Sequence, residues 1–265
     1  MKVARALTIA GSDSGGGAGI QADLKTFQML DVFGMSAITA ITAQNTLGVH
    51  GIYPVPLEGI GLQIDAVATD LGVDAAKTGM LADAAIIRLV ADKVKEHNIE
   101  KLVVDPVMVA KGGARLLQEQ AQDALIHDLL PVAFMTTPNI PEAEVLTGLS
   151  IRSLVDMKEA AKRIGDMGVK YVIVKGGHMQ GDAIDIVFDG TSFEQLDSKR
   201  FETPHTHGTG CTFSAAIAAE LAKGRPIFEA VATAKAFITA AIRESLGIGH
   251  GHGPTNHWAY FRSNL

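Results

Sequence analysis

The chain is poor in cysteine and in aromatic residues. Cys211 is its only cysteine among 265 residues, and aromatic residues make up 5%. A single thiol cannot form an intrachain disulfide, which excludes a disulfide-stabilised secreted scaffold. The apolar run within residues 1–10 stops at Gly11, is too short to span a membrane and lacks a signal-peptide cleavage pattern. We therefore expect a cytoplasmic protein that does not insert into membranes.

Basic residues are outnumbered by acidic ones. Lysine and arginine total 23 against 29 aspartates and glutamates, for a net charge of −6. This balance argues against non-specific binding to nucleic acid or to an anionic membrane, while a local basic pocket for phosphates stays compatible with it. With 47% hydrophobic and 20% charged residues, the composition is that of an ordinary globular protein. We expect one domain, residues 1–265, burying roughly 70–75% of its unfolded surface.

Strand-like and helix-like segments alternate along most of the chain. The predicted strands lie at residues 3–11, 35–43, 49–55, 73–78, 102–105, 134–137 and 171–175, with a hairpin formed by 183–188 and 192–196. The predicted helices lie at residues 20–30, 57–71, 84–97, 116–130, 157–167, 212–222 and 227–246. Such alternation predicts an α/β fold, with a mostly parallel sheet covered by helices on both faces.

Chemically suggestive residues follow many of the predicted strands. They are Gly11 to Asp13, Gln44 and Asn45, Lys77 to Met80, Asp105 and Pro106, Pro138 and Asn139, and Lys175 to Gly177. Ligands of open α/β sheets bind beyond the carboxyl ends of the strands. Their shared placement predicts a binding site at that edge more strongly than any one residue does.

A glycine-rich turn, residues 15–19, follows the first strand. Its spacing matches neither the Walker A loop nor the GxGxxG dinucleotide fingerprint. A tight turn needing positive φ explains it as well as direct ligand contact does. Asp23 lies in the helix that follows. A solvent-exposed acid near the helix N-terminus, where the helix dipole favours negative charge, explains it equally simply.

Four polar residues at strand ends suit a nucleotide and its acceptor. The Gln44 amide offers a donor beside an acceptor, which complements an amino-heterocycle, although a loop amide bonded to its own backbone is the alternative. Asp105 and Glu142 supply oxygens of the kind that Mg²⁺ takes together with phosphates, although Glu142 also fits an ordinary first-turn acid. Lys175 suits a phosphate contact, with a solvated lysine as the alternative.

Cys211 lies at the mouth of an apolar helix, after Gly208 and Gly210. Bare amides at a helix N-terminus bind anions, and a thiol there has its pKa lowered. This pattern indicates group transfer, although Cys211 could instead be a small buried hydrophobic residue.

Two alternative functions involve Cys211 or the histidines. A thiol hydrolase that uses Cys211 with His205 or His207 would give no role to the acidic residues at the strand ends. Zinc could bind the two HxH pairs, His205 with His207 and His250 with His252, but neither pair has a third ligand at the spacing of a known zinc site.

Several stretches together resemble the ribokinase-like superfamily, and within it the hydroxymethylpyrimidine/phosphomethylpyrimidine kinases of thiamine biosynthesis. The stretches shared with the superfamily are Gly208 to Cys211, Asn139 with Glu142, Asp105 to Val107, and Ala10 to Gly19. The stretches specific to the pyrimidine kinases are Ala18 to Lys25, Lys77 to Met80 and Thr42 to Thr46. The resemblance runs from about residue 5 to residue 257.

This resemblance implies a three-layer α/β/α sandwich and a kinase that uses ATP and Mg²⁺. It implies two phosphorylations in one site: first of 4-amino-5-hydroxymethyl-2-methylpyrimidine, then of its monophosphate. Relatives are commonly dimers, so a homodimer is expected. The implied substrate residues are Gln44, Gly11, Asp23, Met80 and Val107. The implied residues for ATP and magnesium are Lys175, Thr209, Asn139, Asp105 and Glu142, and the implied catalytic residues are Gly208, Gly210 and Cys211.

The chain departs from the sugar and nucleoside kinases of the superfamily at one catalytic position. Those enzymes carry Gly-x-Gly-Asp, where this chain has Cys211, as the pyrimidine branch does. We hypothesise that Cys211 acts as base in the first step and matters less in the second, because a phosphate oxygen is already ionised. A pyridoxal or pyridoxine kinase is the nearest alternative, disfavoured because pyridoxal lacks the 4-amino group that Gln44 would read. A non-catalytic nucleotide-binding protein is a further alternative.

Overall fold

The computed structural model of the protein describes residues 3–109, 113, 116–177 and 182–262. The strands are β1 (Arg5–Ala10), β2 (Phe33–Ile38), β3 (Ala40–Asn45), β4 (Gly48–Pro54), β5 (Ala75–Thr78), β6 (Leu102–Val104), β7 (Met135–Thr136), β8 (Tyr171–Val174), β9 (Ala183–Phe188) and β10 (Phe193–Ser198). The helices are α1 (Gly19–Met29), α2 (Leu57–Asp70), α3 (Ala84–Glu96), α4 (Gln122–Ala124), α5 (Ile140–Thr147), α6 (Leu154–Gly165), α7 (Thr209–Ala222), α8 (Ile227–Arg243) and α9 (Ala259–Arg262). None of the helices in these ranges has the length and apolar character needed to cross a bilayer.

An eight-stranded sheet forms the middle of the fold. Its strand order is β10-β9-β8-β7-β6-β5-β1-β2, and the pairs from β2 to β8 are parallel. The β8–β9 and β9–β10 pairs are antiparallel, which confirms the predicted hairpin. Parallel strands covered on both faces read as continuous apolar runs, and β6 (Leu-Val-Val) is an example. The predicted α/β fold with a mostly parallel sheet is confirmed.

Helices cover both faces of this sheet and bury two separate cores. One core packs α2, α3, α5 and α6 on the face that Leu7, Ala76 and Val104 point to. The other packs α1, α7 and α8 on the face of Ala6 and Val103. Successive strand residues point to opposite faces, so each strand contributes to both cores. The result is a three-layer α/β/α sandwich with α7 over the centre of the sheet.

The segment predicted as one strand, residues 35–43, is two strands in different sheets. β2 stays in the main sheet, whereas β3 pairs with β4 in a separate antiparallel sheet. The break falls at Thr39, whose backbone N–H donates to Ala10 at 3.0 Å and whose hydroxyl donates to the Met80 carbonyl at 2.7 Å. These bonds hold the point at which the chain leaves the main sheet for the β3–β4 sheet.

Two predicted helices also differ from the structure. Residues 116–130 do not form one helix, because short 3₁₀, α and π turns follow one another from Glu119 to Val132, and Leu117 instead bridges to Ala82. Pro131 has no N–H and cannot extend a regular helix there. Helix α7 begins at Thr209 rather than at residue 212. That earlier start places Gly210 and Cys211 inside the first turn.

Candidate active site

The centre of the candidate site is an ion pair between residues that follow two strands of the sheet. The Lys175 Nζ lies 3.2 Å from the Asp105 Oδ1, and Asp105 is 3% exposed. The hydroxyls of Thr137 and Ser214 donate to the same carboxylate at 3.4 and 3.5 Å. A Cβ on Gly210 would lie 3.3 Å from the Asp105 Oδ2 and 3.5 Å from the Lys175 Nζ. The structure therefore brings three predicted site residues together where α7 begins.

Gly208 is the N-cap of α7 and requires glycine for two reasons. Its φ of 80° is in the left-handed region, and a Cβ would lie 1.7 Å from the Gly17 carbonyl oxygen. The glycine-rich turn after β1 thus packs directly on the start of α7. Thr209 is the first helical residue, and its hydroxyl donates to the Thr206 carbonyl at 2.7 Å. First-turn amides lack acceptors within the helix, so this end of α7 suits an anion.

Cys211 lies in that first turn, but its acidity is not the one expected from position alone. Burial raises the pKa of the Cys211 thiol to about 11. The carboxylates of Asp23 and Asp105 raise this pKa too, and the charge of Lys77 lowers it by less than these effects raise it. The expectation that the helix N-terminus lowers this pKa is therefore wrong. At neutral pH the residue is a thiol, and it keeps some exposed surface.

Asn139 and Glu142 form a capping box at the start of α5. The Glu142 N–H donates to the Asn139 side chain at 2.9 Å, and the Asn139 N–H donates to the Glu142 carboxylate at 2.8 Å. Burial raises the pKa of Glu142 to about 7, with Lys175 lowering it and Asp105 raising it further. The local helix-start interpretation is confirmed. The electrostatic coupling also shows that Glu142 belongs to the neighbourhood of the central ion pair.

The Gln44 side chain lies beside His207 at the far end of β3. The Gln44 Nε2 is 2.9 Å from the His207 Nε2, and that ring nitrogen is 3.0 Å from the Asp13 Oδ2. Asp13 is 2% exposed and accepts the N–H groups of Gly15, Gly17 and Ala18 at 2.8 to 3.0 Å. Burial raises the pKa of Asp13, but the His207 and backbone hydrogen bonds outweigh it and hold this pKa below its usual range.

Two other residues assigned to the substrate, Gly11 and Met80, lie next to each other, and a third, Val107, lines a cavity that includes Gly79, the residue before Met80. A Cβ on Gly11 would lie 2.4 Å from the Met80 methyl carbon, so these two residues are in close contact. Val107 follows β6 and lines a small cavity with Thr78, Gly79 and Asp105. It is therefore placed beside the central ion pair.

Asp23 is not the solvated acid of the simpler explanation. Its carboxylate is fully buried, 2.9 Å from the Lys77 Nζ, and it accepts the Thr8 hydroxyl at 2.6 Å. With both oxygens bound to Lys77 and no exposed surface, the side chain faces protein rather than open solvent. The surface interpretation is wrong because the helix turns this residue onto the sheet.

The sequence places Lys77 and Asp13 among the residues that follow strands, but it does not pair Lys77 with Asp23 or Asp13 with His207. Lys77 had a signal, since a lysine that follows two alanines in a buried strand needs a buried partner. Asp13 and His207 are 194 positions apart, and no local pattern joins them. Among the described residues, the three-ligand grouping is Asp65, Glu96 and His97, which includes neither HxH pair.

Comparison with known proteins shows which family this chain resembles. A family model described as "Phosphomethylpyrimidine kinase" matches residues 13–256. A hydroxymethylpyrimidine/phosphomethylpyrimidine kinase of Haemophilus influenzae is 59% identical over 266 residues, covering 98% of both chains. The Bacillus subtilis protein of the same name is 56% identical over 267 residues, covering 100% of this chain and 98% of the relative.

The chain belongs to the phosphomethylpyrimidine kinase family.

The fold of this family member is shared with a solved enzyme that acts on another ring. The Staphylococcus aureus pyridoxal kinase in complex with AMP-PCP and pyridoxal superposes with a TM-score of 0.92 at 42% identity, covering 99% of this chain and 96% of that one. The ribokinase-like fold is thereby shown. Phosphomethylpyrimidine kinases and pyridoxal kinases share one fold. We therefore expect the side chains that contact the ring to determine which substrate each enzyme accepts.

Proposed function

We propose that this chain transfers the γ-phosphoryl group of ATP to 4-amino-5-hydroxymethyl-2-methylpyrimidine and then to the resulting monophosphate. The observation that carries the proposal is the meeting of Lys175, Asp105 and Gly210 at the start of α7. A half-buried cation and the bare first-turn amides there can hold the transferring phosphoryl group, while Gln44 reads the ring. The family membership of the whole chain supports the same reaction.

In the first step the hydroxymethyl oxygen attacks the γ-phosphorus. A new O–P bond forms, the bond from that phosphorus to the β–γ bridging oxygen breaks, ADP leaves, and the hydroxyl proton goes to a base. In the second step a phosphate oxygen of the monophosphate attacks in the same way, without an alcohol proton to remove. Phosphoryl transfer has a loose transition state, so positioning and charge neutralisation supply most of the rate. Lys175 and the amides of Gly208 to Cys211 provide both.

Cys211 is proposed as the proton acceptor of the first step. Because burial raises this pKa to about 11, the thiolate is a minor species at pH 7, and we infer that positioning and charge neutralisation supply most of the rate. Cys211 must first lose its own proton to solvent before its sulfur can accept the hydroxyl proton, and Lys77 stabilises the thiolate formed in that way, since its charge lowers this pKa. The test is Cys211→Ala with each acceptor separately. We expect a larger loss of kcat with the alcohol than with the monophosphate. Equal losses would contradict the role of Cys211 as the base of the first step.

The residues fit a magnesium ion in this site. Asp105 and Glu142 offer carboxylate oxygens, and Mg²⁺ usually binds one or two such groups together with phosphates. Asp105 raises the pKa of Glu142, and a divalent cation would relieve that repulsion between the two carboxylates. When bound, the ion would neutralise phosphate charge. We propose these two residues as its protein ligands, with Asn139 and Thr209 near the ATP phosphates.

A pyridoxal kinase is the second candidate, favoured by the shared scaffold of the Staphylococcus aureus enzyme. The Gln44 amide supports the aminopyrimidine, because it can accept from an exocyclic amine and donate to the ring nitrogen. The discriminating test compares kcat/KM for the pyrimidine alcohol and for pyridoxal. A higher value for pyridoxal would reverse the choice. Gln44→Ala should reduce kcat/KM for the pyrimidine and leave that for pyridoxal nearly unchanged.

We also propose a cytoplasmic homodimer built from one domain per chain. The separate β3–β4 sheet exposes 56% of Ile41 and 62% of Tyr53, and an exposed apolar pair on a short two-stranded sheet suits a second copy. Light scattering should give twice the chain mass for the natural protein and one chain mass for Ile41→Glu. The matched control is Val155→Glu on α6, where the native side chain is 74% exposed away from this sheet. A monomeric natural protein would contradict the proposal.

A further inference from the structure

A buried carboxylate that the proposed reaction does not use holds the turn after β8. Asp185, on β9, is 4% exposed. Its Oδ1 accepts the Gly176 backbone N–H at 3.0 Å, and Gly176 directly follows Lys175. The Asp185 side chain therefore contacts the backbone that carries the proposed phosphate-binding lysine.

The other oxygen of this carboxylate binds helix α8. The Lys235 Nζ lies 2.6 Å from the Asp185 Oδ2 and donates to the Ala183 carbonyl at 3.3 Å. The Lys235 side chain is 14% exposed. Buried charged groups persist where they are paired and hydrogen-bonded, and this pair satisfies both conditions. Asp185 thus joins the turn to α8 through one carboxylate.

The backbone of the turn, residues 175–177, is held in place by its contacts with neighbouring segments. A Cβ on Gly176 would lie 1.8 Å from the Ile184 carbonyl oxygen, so the backbone of the turn rests directly on β9. On the other side, the Lys175 N–H donates to the Pro138 carbonyl at 2.8 Å. With its backbone fixed on both sides, the Lys175 side chain has one direction in which to reach the Asp105 carboxylate, 3.2 Å away.

Asp185 also places a negative charge close to Lys175, because its carboxylate binds the backbone N–H of the next residue, Gly176. Along the face of the sheet that packs on α7 and α8, Lys235, Asp185, Lys175 and Asp105 therefore alternate in sign. Each carboxylate in this row has a lysine beside it.

We propose that Asp185 and Lys235 are positioning residues for the nucleotide phosphates, which act by fixing the Lys175–Gly177 turn. The proposal rests on the proposed function only in taking Lys175 as a contact of the ATP phosphates. Neither residue touches the reacting atoms. Without the ion pair, the turn loses its charged acceptor and Lys175 loses its fixed direction, and misplacement of a binding group by about 1 Å is costly.

The test measures binding of AMP-PCP by calorimetry without any acceptor, in Lys235→Met and Asp185→Asn. We expect Kd to rise about 10-fold in both, while Lys235→Arg, which keeps the pair, stays within about 3-fold. KM for ATP should rise in parallel, with KM for the pyrimidine alcohol nearly unchanged. The matched control is Lys93→Met, which removes another lysine–aspartate pair (Lys93–Asp65, 2.8 Å) remote from the site and should leave Kd unchanged.

A merely structural role predicts a different result. In that case Lys235→Met and Asp185→Asn would lower Tm and bind AMP-PCP within 2-fold of the natural protein, which would overturn the proposal. If Lys235→Met does not fold, Asp185→Asn decides by the same criterion, together with the rise in Tm that AMP-PCP produces. Because no acceptor is present, a failure of pyrimidine phosphorylation would leave this readout intact, so the two proposals fail separately.

Discussion

The ammonium of Lys77 lies 2.9 Å from the Asp23 carboxylate, and neither side chain has any exposed surface. Burial lowers the pKa of Lys77, but the charge of Asp23, that of Cys211 once its thiolate forms at high pH, and that of Asp105 outweigh it and raise this pKa well above its usual value. The pair ties helix α1 to strand β5 on the face where α7 begins. It is therefore both a structural contact and part of the electrostatic surroundings of Cys211.

Removing one partner of this pair should be strongly destabilising. Lys77→Met leaves the Asp23 carboxylate buried without its cation, and such changes cost about 3–5 kcal/mol. Urea unfolding measures the loss. The control is Arg88→Ala, which removes a pair whose side chains are 61% and 38% exposed and should cost less than about 1 kcal/mol. Equal losses in the two variants would show that the buried pair is not a major source of stability.

Alkylation of Cys211 should follow a high thiol pKa. The rate with iodoacetamide is expected to rise about 10-fold per pH unit from pH 7 to 10 without a plateau, because the pKa is about 11 and the thiolate reacts. Protein unfolded in urea is the control, where the same thiol should titrate near its usual pKa of about 8.5. A plateau between pH 7 and 9 in the folded protein would contradict this account.

His257 should make the protein less stable as pH falls from about 6.5 to about 4. The ring is 6% exposed, its Nε2 is 3.1 Å from the Thr212 hydroxyl, and burial, then Lys25, lowers its pKa to about 4. Below pH 6.5 His257 takes up a proton in the unfolded chain but not in the folded chain. Its contribution to the free energy of unfolding is therefore fully present above that pH and is lost on acidification.

The size of this effect is on the order of 3 kcal/mol between pH 7 and pH 4. Chemical unfolding at a series of pH values, compared between the natural protein and His257→Gln, isolates it from other acid-sensitive groups. The natural protein should lose more stability on acidification than the variant. Parallel curves for the two proteins would show that this histidine does not carry the pH dependence.

Position 208 should not tolerate any side chain, because the Gly208 backbone packs closely on the glycine-rich turn. Gly208→Ala combines left-handed strain with a contact at 1.7 Å from the Gly17 carbonyl, so we expect loss of most activity and of more than about 2 kcal/mol of stability. The control is Gly224→Ala at the other end of α7, where φ is 79° and nothing lies within 4 Å of a Cβ. That variant carries the strain alone and should cost about 1 kcal/mol with normal activity.

Much of the fold follows from local patterns. Apolar β6 and the Asp189–Gly190 hairpin are placed correctly because turn chemistry and apolar runs are properties of neighbouring residues. The break at Thr39 is not predicted, because it depends on hydrogen bonds to Ala10 and Met80, far along the chain. The turns near Pro131 are irregular although the local apolar spacing suggests a helix.

The candidate site divides in the same way. Lys175 and Asp105 are found because both follow strands of a parallel sheet, whose ends share one edge. Residues that act through partners distant in sequence, such as His207 with Asp13, are not found. The acidity of Cys211 is misjudged because the helix N-terminus is visible in the sequence, whereas the burial and neighbouring carboxylates that raise its pKa belong to the folded chain.

The most direct test of the central claim is a time course of one reaction that contains the protein, ATP, Mg²⁺ and 4-amino-5-hydroxymethyl-2-methylpyrimidine, with the products resolved by chromatography. We expect the monophosphate to appear first and then to be converted into the diphosphate, with two ATP consumed for each pyrimidine. A reaction that leaves the pyrimidine unphosphorylated, or that stops at the monophosphate while pyridoxal is readily phosphorylated, would contradict it.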